Sequence, residues 1–497
     1  MDHEMKELEV FTLPVSRIYE KENEFDGTLP DYLPNIERPV RVNARHTSCE
    51  IVYEADKATV RGTISYELLY ESDYKGKLKC VTFTGEYSQK TELRRADALS
   101  AAAYVSVVSC VCKMLNARKV LIRSHIVCEL RYASGEKCSV LAPSQHDCCV
   151  QTSECAISKT VFVPAKEFIL TDTFATQAEL PPIGDVITVS CEPINTSCVC
   201  SNGFVTVSGE LKVNVLYEHD NEQELNCAAK DIPFSYILDS DRSAETTEAT
   251  PYTYVITAAA DSGIDAYGES RMFNLTCRLG IALSLTDTAR ETFVTDIFVP
   301  GKKSAVKTLP LVCTSIGPEE KTVFNIERSF ENRNGFARIL DSHVTLRITD
   351  IVQKDDSCEV QALATIGVLG TTDTDTEYSE STVVFTETLP ARNVISIIAV
   401  INESTVSVGA QGMTFVSRGV FVYREGENIA AQAVCAIEVS DLEPSASALT
   451  VFFPTGEDTL WDVAKRYAAD PEKIKHDNPD AFRNGKASDA ERIIIMR

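Results

Sequence analysis

One histidine and three cysteines lie close together in the sequence and are the residues best suited to bind a metal ion. They are His146, Cys148, Cys149 and Cys155. Zinc is bound by thiolates and imidazoles, and structural sites usually take these ligands from paired motifs such as two CxxC pairs. The spacing here matches no such motif. A chance cluster is therefore favoured over a metal site, which remains the alternative, and we expect no metal or other cofactor.

Three carboxylates, Asp373, Asp375 and Glu377, alternate with threonines in a turn-like segment. Oxygen ligands of this kind bind calcium, but calcium loops also contain a glycine that bends the chain between the ligands. No such glycine interrupts this segment. We expect a solvated loop here and no calcium site.

The sequence carries no arrangement of residues that is typical of an enzyme. HExxH and GxSxG are absent, and the run from Gly485 to Ser488 has Asp480 where a phosphate-binding loop needs its first glycine. The seven histidines show no triad spacing, and His125 is predicted on the solvated face of a strand. We therefore expect a non-enzymatic protein.

Trp461 is the only tryptophan and the most informative single residue. At 100° per residue it lies off the apolar helical stripe near it. That stripe consists of Leu460, Val463, Ala464 and Tyr467. A large ring outside the stripe suits an interface anchor. The alternative is that Trp461 covers the core of a small domain, and both interpretations stay open.

The residues around Trp461 predict a small C-terminal module (residues 449–497). Asp458 is expected to cap the first helix, and Asp470 followed by Pro471 is typical of the start of a second. The flanking runs 449–453 and 492–496 are apolar and favour strands. The module is thus predicted as strand, helix, helix, strand.

Upstream of this module the sequence repeats itself at intervals of about 150 residues. The segments Val60–Tyr70 (VRGTISYELLY), Val207–Tyr217 (VSGELKVNVLY) and the weaker Val360–Gly370 (VQALATIGVLG) align, and their apolar residues alternate with polar ones. Alternation of this kind predicts half-buried strands. Leu68 and Val215 are expected to be buried at equivalent positions.

A second set of aligned segments follows the first, at Lys119–Leu130, Met272–Leu283 and Met413–Arg424. The alignment places Ile122, Leu275 and Val416 on one face of three further strands. Because the repeats are long and rich in Val, Thr, Ile and Tyr, we predict a mainly β protein made of tandem antiparallel β-sandwich or barrel-like domains. The segment 96–111 is ambiguous, and strand is favoured over helix.

Charge and composition exclude several classes of function. The chain has 497 residues and a formal net charge of −25, from 48 Lys+Arg against 73 Asp+Glu. This balance argues against binding to nucleic acid or to an anionic membrane, since both need basic residues. The densest apolar run, Val394–Ile401, is far shorter than the roughly 20 residues of a membrane-spanning helix.

The first ten residues, MDHEMKELEV, lack the basic start and apolar run of a secretory signal. We therefore expect a protein that is not exported and whose 17 cysteines are mostly reduced packing residues. In strand-like sequence, Cys110 with Cys112 and Cys198 with Cys200 should each share one face.

The segment Thr455–Tyr467, TGEDTLWDVAKRY, resembles the LysM signature, with one extra residue before Asp458, and DPEKIKHDNPD resembles its second helix. The resemblance implies a LysM domain at 449–497. The matching loop positions imply a partner-binding surface formed by Asp458, Thr459, Trp461, Asn478 and Pro479.

The long upstream repeats, with VxGxxxxxxLY as their recurring core, resemble the SPOCS repeats of clostridial sporulation proteins. SPOCS repeats followed by one LysM domain resemble the architecture of SipL-like spore-coat morphogenetic proteins. The predicted domains are residues 1–160, 161–297 and 298–445 for the three repeats, of which the third is the most divergent because Gly370 replaces the tyrosine.

This resemblance implies a mother-cell scaffold, cytoplasmic and located at the forespore surface, that attaches the spore coat by binding a coat morphogenetic ATPase. The alternative is a LysM protein that binds the N-acetylglucosamine polymers of peptidoglycan. The expected lack of export favours the protein partner, because a LysM domain in the cytoplasm has no glycan within reach.

Overall fold

The computed structural model describes residues 3–54, 57–74, 76–95, 98–177, 180–219, 224–409, 412–442, 449–455, 457–482, 486–487 and 492–496. The predicted β class is confirmed, since nearly all elements in these ranges are antiparallel strands. Residues 96 and 97 of the ambiguous segment lie outside the described residues, and the segment from Ser100 onward is a strand, as favoured.

The strands are arranged in three units, which we number in chain order. Unit 1 contains β1 (Met5–Phe11), β2 (Val15–Thr28), β3 (Ile36–Tyr53), β4 (Ala58–Ser72), β5 (Leu78–Lys90), β6 (Ser100–Asn116), β7 (Lys119–Ala133) and β8 (Gly135–Leu141). Unit 2 contains β9 (Cys149–Ala175), β10 (Ile183–Ser201), β11 (Phe204–His219), β12 (Leu225–Asp239), β13 (Glu248–Ile264) and β14 (Ser270–Phe298). Unit 3 contains β15 (Lys302–Ile316), β16 (Glu320–Phe330), β17 (Arg338–Gln353), β18 (Cys358–Thr371), β19 (Thr376–Leu389), β20 (Val394–Gly409) and β21 (Gly412–Asp441). The C-terminal module contains β22 (Leu449–Phe452), α1 (Leu460–Tyr467), α2 (Pro471–Asp477) and β23 (Ile493–Met496).

Each unit contains the same pair of three-stranded sheets. The first sheets have the orders β3-β4-β5, β10-β11-β12 and β17-β18-β19. Their middle strands are the aligned segments that begin at Val60, Val207 and Val360. In the second sheets, β7 lies between β2 and β6, and β14 lies between β13 and β9. The first half of β21 lies between β16 and β20. Leu68 and Val215 are fully buried in the middle strands, as expected.

The two sheets of each unit pack face to face around one core. In unit 1, Leu68 of β4 and Ile122 of β7 belong to the same buried cluster, and in unit 2 Val215 and Leu275 do. In unit 3 the expectation for Val416 is wrong, because Phe415 is the fully buried neighbour and Val416 is only partly buried. Side chains alternate along a strand, so a one-residue error in aligning the divergent copy inverts the predicted faces.

Another residue of unit 3 compensates for Gly370 of β18, which lacks a side chain. Tyr70 and Tyr217 are fully buried at the aligned positions of units 1 and 2. A Cβ placed on Gly370 would lie 2.7 Å from Cδ1 of Phe336, and Phe336 is itself buried. The Phe336 ring therefore fills the space next to Gly370 from a different point in the sequence.

A pair of strands extends from each sandwich, and we call it a ribbon. The ribbons pair β1 with β8, the start of β9 with the end of β14, and β15 with the second half of β21. They pack together in one cluster that takes three buried residues from each unit. These are Leu8, Phe11 and Val140, then Cys155, Ile157 and Phe293, then Leu311, Cys313 and Ala433. The predicted domain boundary after residue 160 lies inside β9, because this strand serves both the ribbon and the sandwich.

The three units contact one another in a cyclic order. Strand β5 contacts β10, β12 contacts β17, and β19 contacts β3. Leu69, Leu216 and Leu369, which hold equivalent positions in the three middle strands, share one buried cluster. The arrangement is therefore close to threefold, although it is built from a single chain.

Beside the leucine cluster lies a buried polar cluster in which the units differ. Opposite Leu69, Leu216 and Leu369 stand Arg41, Thr188 and Asp341. Arg41 pairs with Asp341 at 2.9 Å, and their side chains are 2% and 7% exposed. Burial alone would lower the pKa of Arg41, but attraction to Asp341 and Glu67 raises it above its ordinary value.

Unit 2 completes this polar cluster. Thr188 donates a hydrogen bond to Glu67 at 2.9 Å, while Ser190 and Asn214 donate to Asp341 at 3.3 and 3.1 Å. Each of these contacts joins two different units. The polar cluster therefore fixes the relative position of all three.

Replacing Asp341 by Ala should destabilise the whole assembly, because it leaves the buried Arg41 charge without its main partner. Loss of one member of a buried pair costs about 3 kcal/mol or more. Urea unfolding should show this as a lower midpoint. The control is Glu50→Ala, which breaks an exposed pair with Arg61 and should change the midpoint little. Equal effects of the two substitutions would contradict the prediction.

His46 of unit 1 packs against Tyr254 of unit 2, with ring centroids 4.2 Å apart and the ring planes tilted by 39°. Burial lowers the pKa of His46 to about 4. An unfolded histidine titrates near 6.5, so acidification protonates the unfolded chain first and stability falls between about pH 6.5 and 4. At pH 5 the loss should be about 2 kcal/mol relative to pH 7.5.

Replacing His46 by Phe should remove this share of the pH dependence. The measurement is urea unfolding at pH 7.5 and pH 5 for wild type and variant. His476, whose side chain is 88% exposed, provides the control substitution His476→Phe. An unchanged pH dependence in His46→Phe would show that burial does not lower the pKa of His46 as stated.

Candidate functional site

The first helix of the C-terminal module begins with a capping box at Thr459. The amide of Asp462 donates to the Thr459 hydroxyl at 3.1 Å, and the Asp462 carboxylate accepts from the amide of Thr459 at 3.2 Å. This reciprocal pair satisfies two amides at the helix start. Thr459, rather than the predicted Asp458, is therefore the N-cap residue.

Asp458 instead closes the turn that precedes the helix. Its carboxylate accepts hydrogen bonds from the Thr455 amide at 2.7 Å and hydroxyl at 2.8 Å. The hydrogen bond from the Thr455 amide, with that from its hydroxyl, holds the pKa of Asp458 below its usual value. The Asp458 carbonyl also accepts from the amide of Ala487, so this turn is tied to the segment before the last strand.

The second helix begins as predicted, with Asp470 as N-cap and Pro471 at the first position. At its end, the Asn478 side chain donates to the carbonyls of Ile474 and Ile494 at 2.8 and 2.7 Å and accepts from the Ile494 amide at 2.8 Å. Asn478 thus joins α2 to β23. Pro479 follows it and is exposed.

Strands β22 and β23 pair with each other and carry the two helices on one face. The core of the module consists of small and aliphatic side chains, among them Val463, Ala464, Ile474, Ile493 and Ile495. Phe298, the last residue of β14, belongs to the same buried cluster. The module therefore completes its core with a residue from unit 2.

Trp461 lies at this contact between the module and unit 2. Its ring packs edge-to-face on Phe298 with centroids 5.1 Å apart, and its indole N–H donates to Oδ2 of Asp296 at 2.9 Å. Lys465, one helical turn further, bonds both oxygens of Asp296 at 2.6 and 2.7 Å. Trp461 is partly buried as a result.

The five predicted site residues thus have different environments. Asp458, Thr459 and Asn478 form hydrogen bonds within the module, Pro479 is exposed, and Trp461 contacts unit 2. Among the described residues no hydrogen bond joins Trp461 to any of the other four. Their use as one partner-binding surface stays a prediction.

Sequence analysis missed Asp296, Phe298 and Lys465 as members of this site. Asp296 is 165 positions before Trp461, and nothing in the local pattern of β14 links the two. The apolar stripe of α1 gave the only available signal, since a ring off that stripe needs cover from another part of the chain.

The other chemically suggestive residues do not converge on one site. Cys148, Cys149 and Cys155 pack into three different apolar clusters, and His146 is exposed. Within the part of the chain that the structure describes, no group of three or more His, Cys, Asp or Glu side chains has a geometry that suits a metal ion.

All 17 cysteines are free thiols and none is exposed. Cys110 and Cys112 pack against the core of unit 1, and Cys198 and Cys200 against a cluster in unit 2, so each pair shares a face as predicted. Burial raises the pKa of Cys128 to about 12, which keeps this thiol protonated near neutral pH.

Two of the three carboxylates noted in the sequence, Asp373 and Asp375, line a pocket of about 320 Å³ at the junction of the three units. Arg38, Lys77 and Arg338 also line it, and each is paired with an acidic residue of the pocket. Glu377 accepts a hydrogen bond from Asn334. Lys77 with Glu218 and Arg338 with Glu224 join unit 2 to units 1 and 3 at this junction, whereas Arg38 and Glu71 both belong to unit 1.

Residues 182–257 match the family model described as SipL, SPOCS domain. The match covers β10, β11, β12 and part of β13, which all belong to unit 2. It supports a relation to the SipL family and a role in sporulation. No curated protein and no solved structure matches the chain.

Neither α1 nor α2 is long and apolar enough to cross a membrane, and the described residues contain no other α-helix.

Replacing Asn478 by Ala should destabilise the C-terminal module, because the amide and carbonyl of Ile494 lose their side-chain partner, while the carbonyl of Ile474 keeps only the backbone amide of residue 478. Leaving buried polar groups unsatisfied costs about 1–3 kcal/mol. Fluorescence of Trp461, the only tryptophan, reports thermal unfolding of the module within the full chain. Pro479→Ala is the neighbouring control and should leave the unfolding temperature of the module unchanged. An unchanged unfolding temperature in Asn478→Ala would contradict the role of Asn478.

Proposed function

We propose that the protein is a non-enzymatic sporulation scaffold that attaches the spore coat to the forespore surface. In this proposal it acts in the cytoplasm of the mother cell and binds a coat morphogenetic ATPase through a LysM-like C-terminal module. The observation that carries the proposal is the match of residues 182–257 to the SPOCS domain of SipL.

Two features of the structure support a scaffold. The strand order of the matched segment recurs in units 1 and 3, and the buried polar cluster joins the three units into one body. The sequence motifs of enzymes are absent, and the three basic residues of the pocket at the junction are each paired with an acidic residue there. Three joined units that carry a small C-terminal module are suited to connecting two partners.

The C-terminal module is the part of the chain that we propose binds the partner. Its order of strand, helix, helix and strand, with TLW at the start of α1, is what the LysM resemblance implies. The module follows β21 in the chain as a compact unit with its own core of small and aliphatic side chains. LysM domains also bind peptidoglycan, which makes this glycan the second candidate ligand.

The test is binding of the full chain to the purified coat morphogenetic ATPase and, in parallel, to insoluble peptidoglycan. Binding to the ATPase with no sedimentation on peptidoglycan is expected. Fractionation of sporulating cells should place the chain with the mother-cell and coat fractions. Preference for peptidoglycan would favour the alternative, and binding to neither would refute the proposal.

Trp461→Ala should weaken binding to the ATPase at least about thirtyfold, since an aromatic anchor at an interface contributes roughly 2 kcal/mol or more. Calorimetric unfolding of the same variant separates this effect from loss of the fold. Tyr267→Ala, at an aromatic residue that is 92% exposed in the hairpin between β13 and β14, is the matched control. Full affinity in a folded Trp461→Ala variant would show that this ring is not the anchor.

A further inference from the structure

The contact between α1 and the end of β14 has matched spacing on its two sides. Asp296 and Phe298 are two apart on a strand, and Trp461 and Lys465 are four apart on a helix. Strand residues i and i+2 face the same way about 6–7 Å apart, and helix residues i and i+4 are neighbours at a similar distance. The two pairs can therefore meet at both positions at once.

The chemistry of the two sides is also complementary. The Asp296 carboxylate receives one hydrogen bond from the indole and two from the Lys465 ammonium. Its side chain is only 23% exposed, so these charge-assisted bonds are partly shielded from water. Phe298 adds an apolar contact to the ring and is 1% exposed.

Further contacts between the described residues of the module and the three units lie close to the same strand end. The amide of Gly301 donates to the carbonyl of Ala468 at 2.7 Å, and Cys149, the strand partner of Phe298, packs against the module core. The module thus contacts the paired ends of β9 and β14 and the turn after β14, and its covalent link follows β21. A second strand end of the same chemistry would make the same principal contacts.

We propose that the Trp461 and Lys465 face of α1 is a recognition surface for an extended segment with the pattern acidic residue, any residue, aromatic residue. In the free chain this surface is occupied by Asp296-Ile297-Phe298. The partner of the proposed function presents a segment of the same pattern and displaces it. The identity of the partner rests on the proposed function, whereas the recognition pattern rests on the contacts within this chain.

This arrangement explains how Trp461 serves both roles considered for it. In the free chain the ring covers the junction between the module and unit 2. In the complex the same ring contacts the partner, because its N–H and its apolar surface can contact only one segment at a time. The affinity for the partner is then reduced by the fraction of molecules in which β14 holds the surface.

The first experiment uses the full chain and the fluorescence of its only tryptophan. Asp296→Ala should shift the emission to the red and increase quenching by acrylamide, because the ring loses its hydrogen bond and its cover. Asp261→Ala, at an exposed position of β13, is a control of the same type and should change neither. Unchanged emission in Asp296→Ala would overturn the proposal.

A peptide with the sequence of residues 292–301, TFVTDIFVPG, then tests the recognition pattern. Added to Asp296→Ala, it should restore the emission and the protection from acrylamide. The same peptide with alanine in place of its aspartate, or of the phenylalanine two residues later, should not. Equal protection by all three peptides, or by none, would refute the pattern.

The third experiment measures the affinity of wild type and Asp296→Ala for the purified coat morphogenetic ATPase. Asp296→Ala should bind it about tenfold more tightly than wild type, since the competing segment loses its charge-assisted hydrogen bonds. The wild-type peptide should compete with the ATPase. If wild type and Asp296→Ala bind the ATPase with equal affinity and the wild-type peptide does not compete, the ATPase does not displace β14 from α1. The proposed function would still stand in that case. Absence of ATPase binding in every variant would refute the proposed function and its partner, while the fluorescence results would still decide the recognition pattern.

Discussion

The buried ion pair between Arg41 and Asp341 is the contact on which the arrangement of the three units depends. Two charges removed from water need each other and additional polar partners, because an unpaired buried ion costs several kcal/mol. Glu67, Ser190 and Asn214 supply those partners from units 1 and 2. In this placement of the units Asp341 is bonded to Arg41, Ser190 and Asn214 at once, whereas apolar contacts alone tolerate sliding.

The cyclic arrangement in turn determines where the C-terminal module can bind. The three ribbons pack on one another through equivalent apolar residues, so the long strands β9 and β14 extend beyond their sandwich as a supported pair. Asp296 and Phe298 lie at the end of that pair and meet α1. Unit 2 therefore takes part in both sites through different strands, with β10 and β11 in the polar cluster and β9 and β14 at the module.

Divergence between the units follows the same physical rules as their similarity. Gly370 stands where units 1 and 2 have a buried tyrosine, and the ring of Phe336 occupies the adjacent space, so unit 3 keeps a filled core with different residues. Arg41, Thr188 and Asp341 occupy equivalent positions but differ in charge. Three identical residues there would repel one another or leave hydrogen bonds unmade, and the differences allow a mixed cluster to form.

The sequence by itself determined the properties that depend on neighbouring residues. Alternation of apolar residues identified the middle strands with Leu68 and Val215, and Asp470 with Pro471 identified the start of α2, because side-chain direction and helix capping are local. Tertiary structure alone decided that Phe415 rather than Val416 faces the core of unit 3, that Arg41 meets Asp341, and that Trp461 rests on Asp296 and Phe298. These contacts join residues tens to hundreds of positions apart or depend on strand register, and no local periodicity specifies which distant side chain will lie opposite.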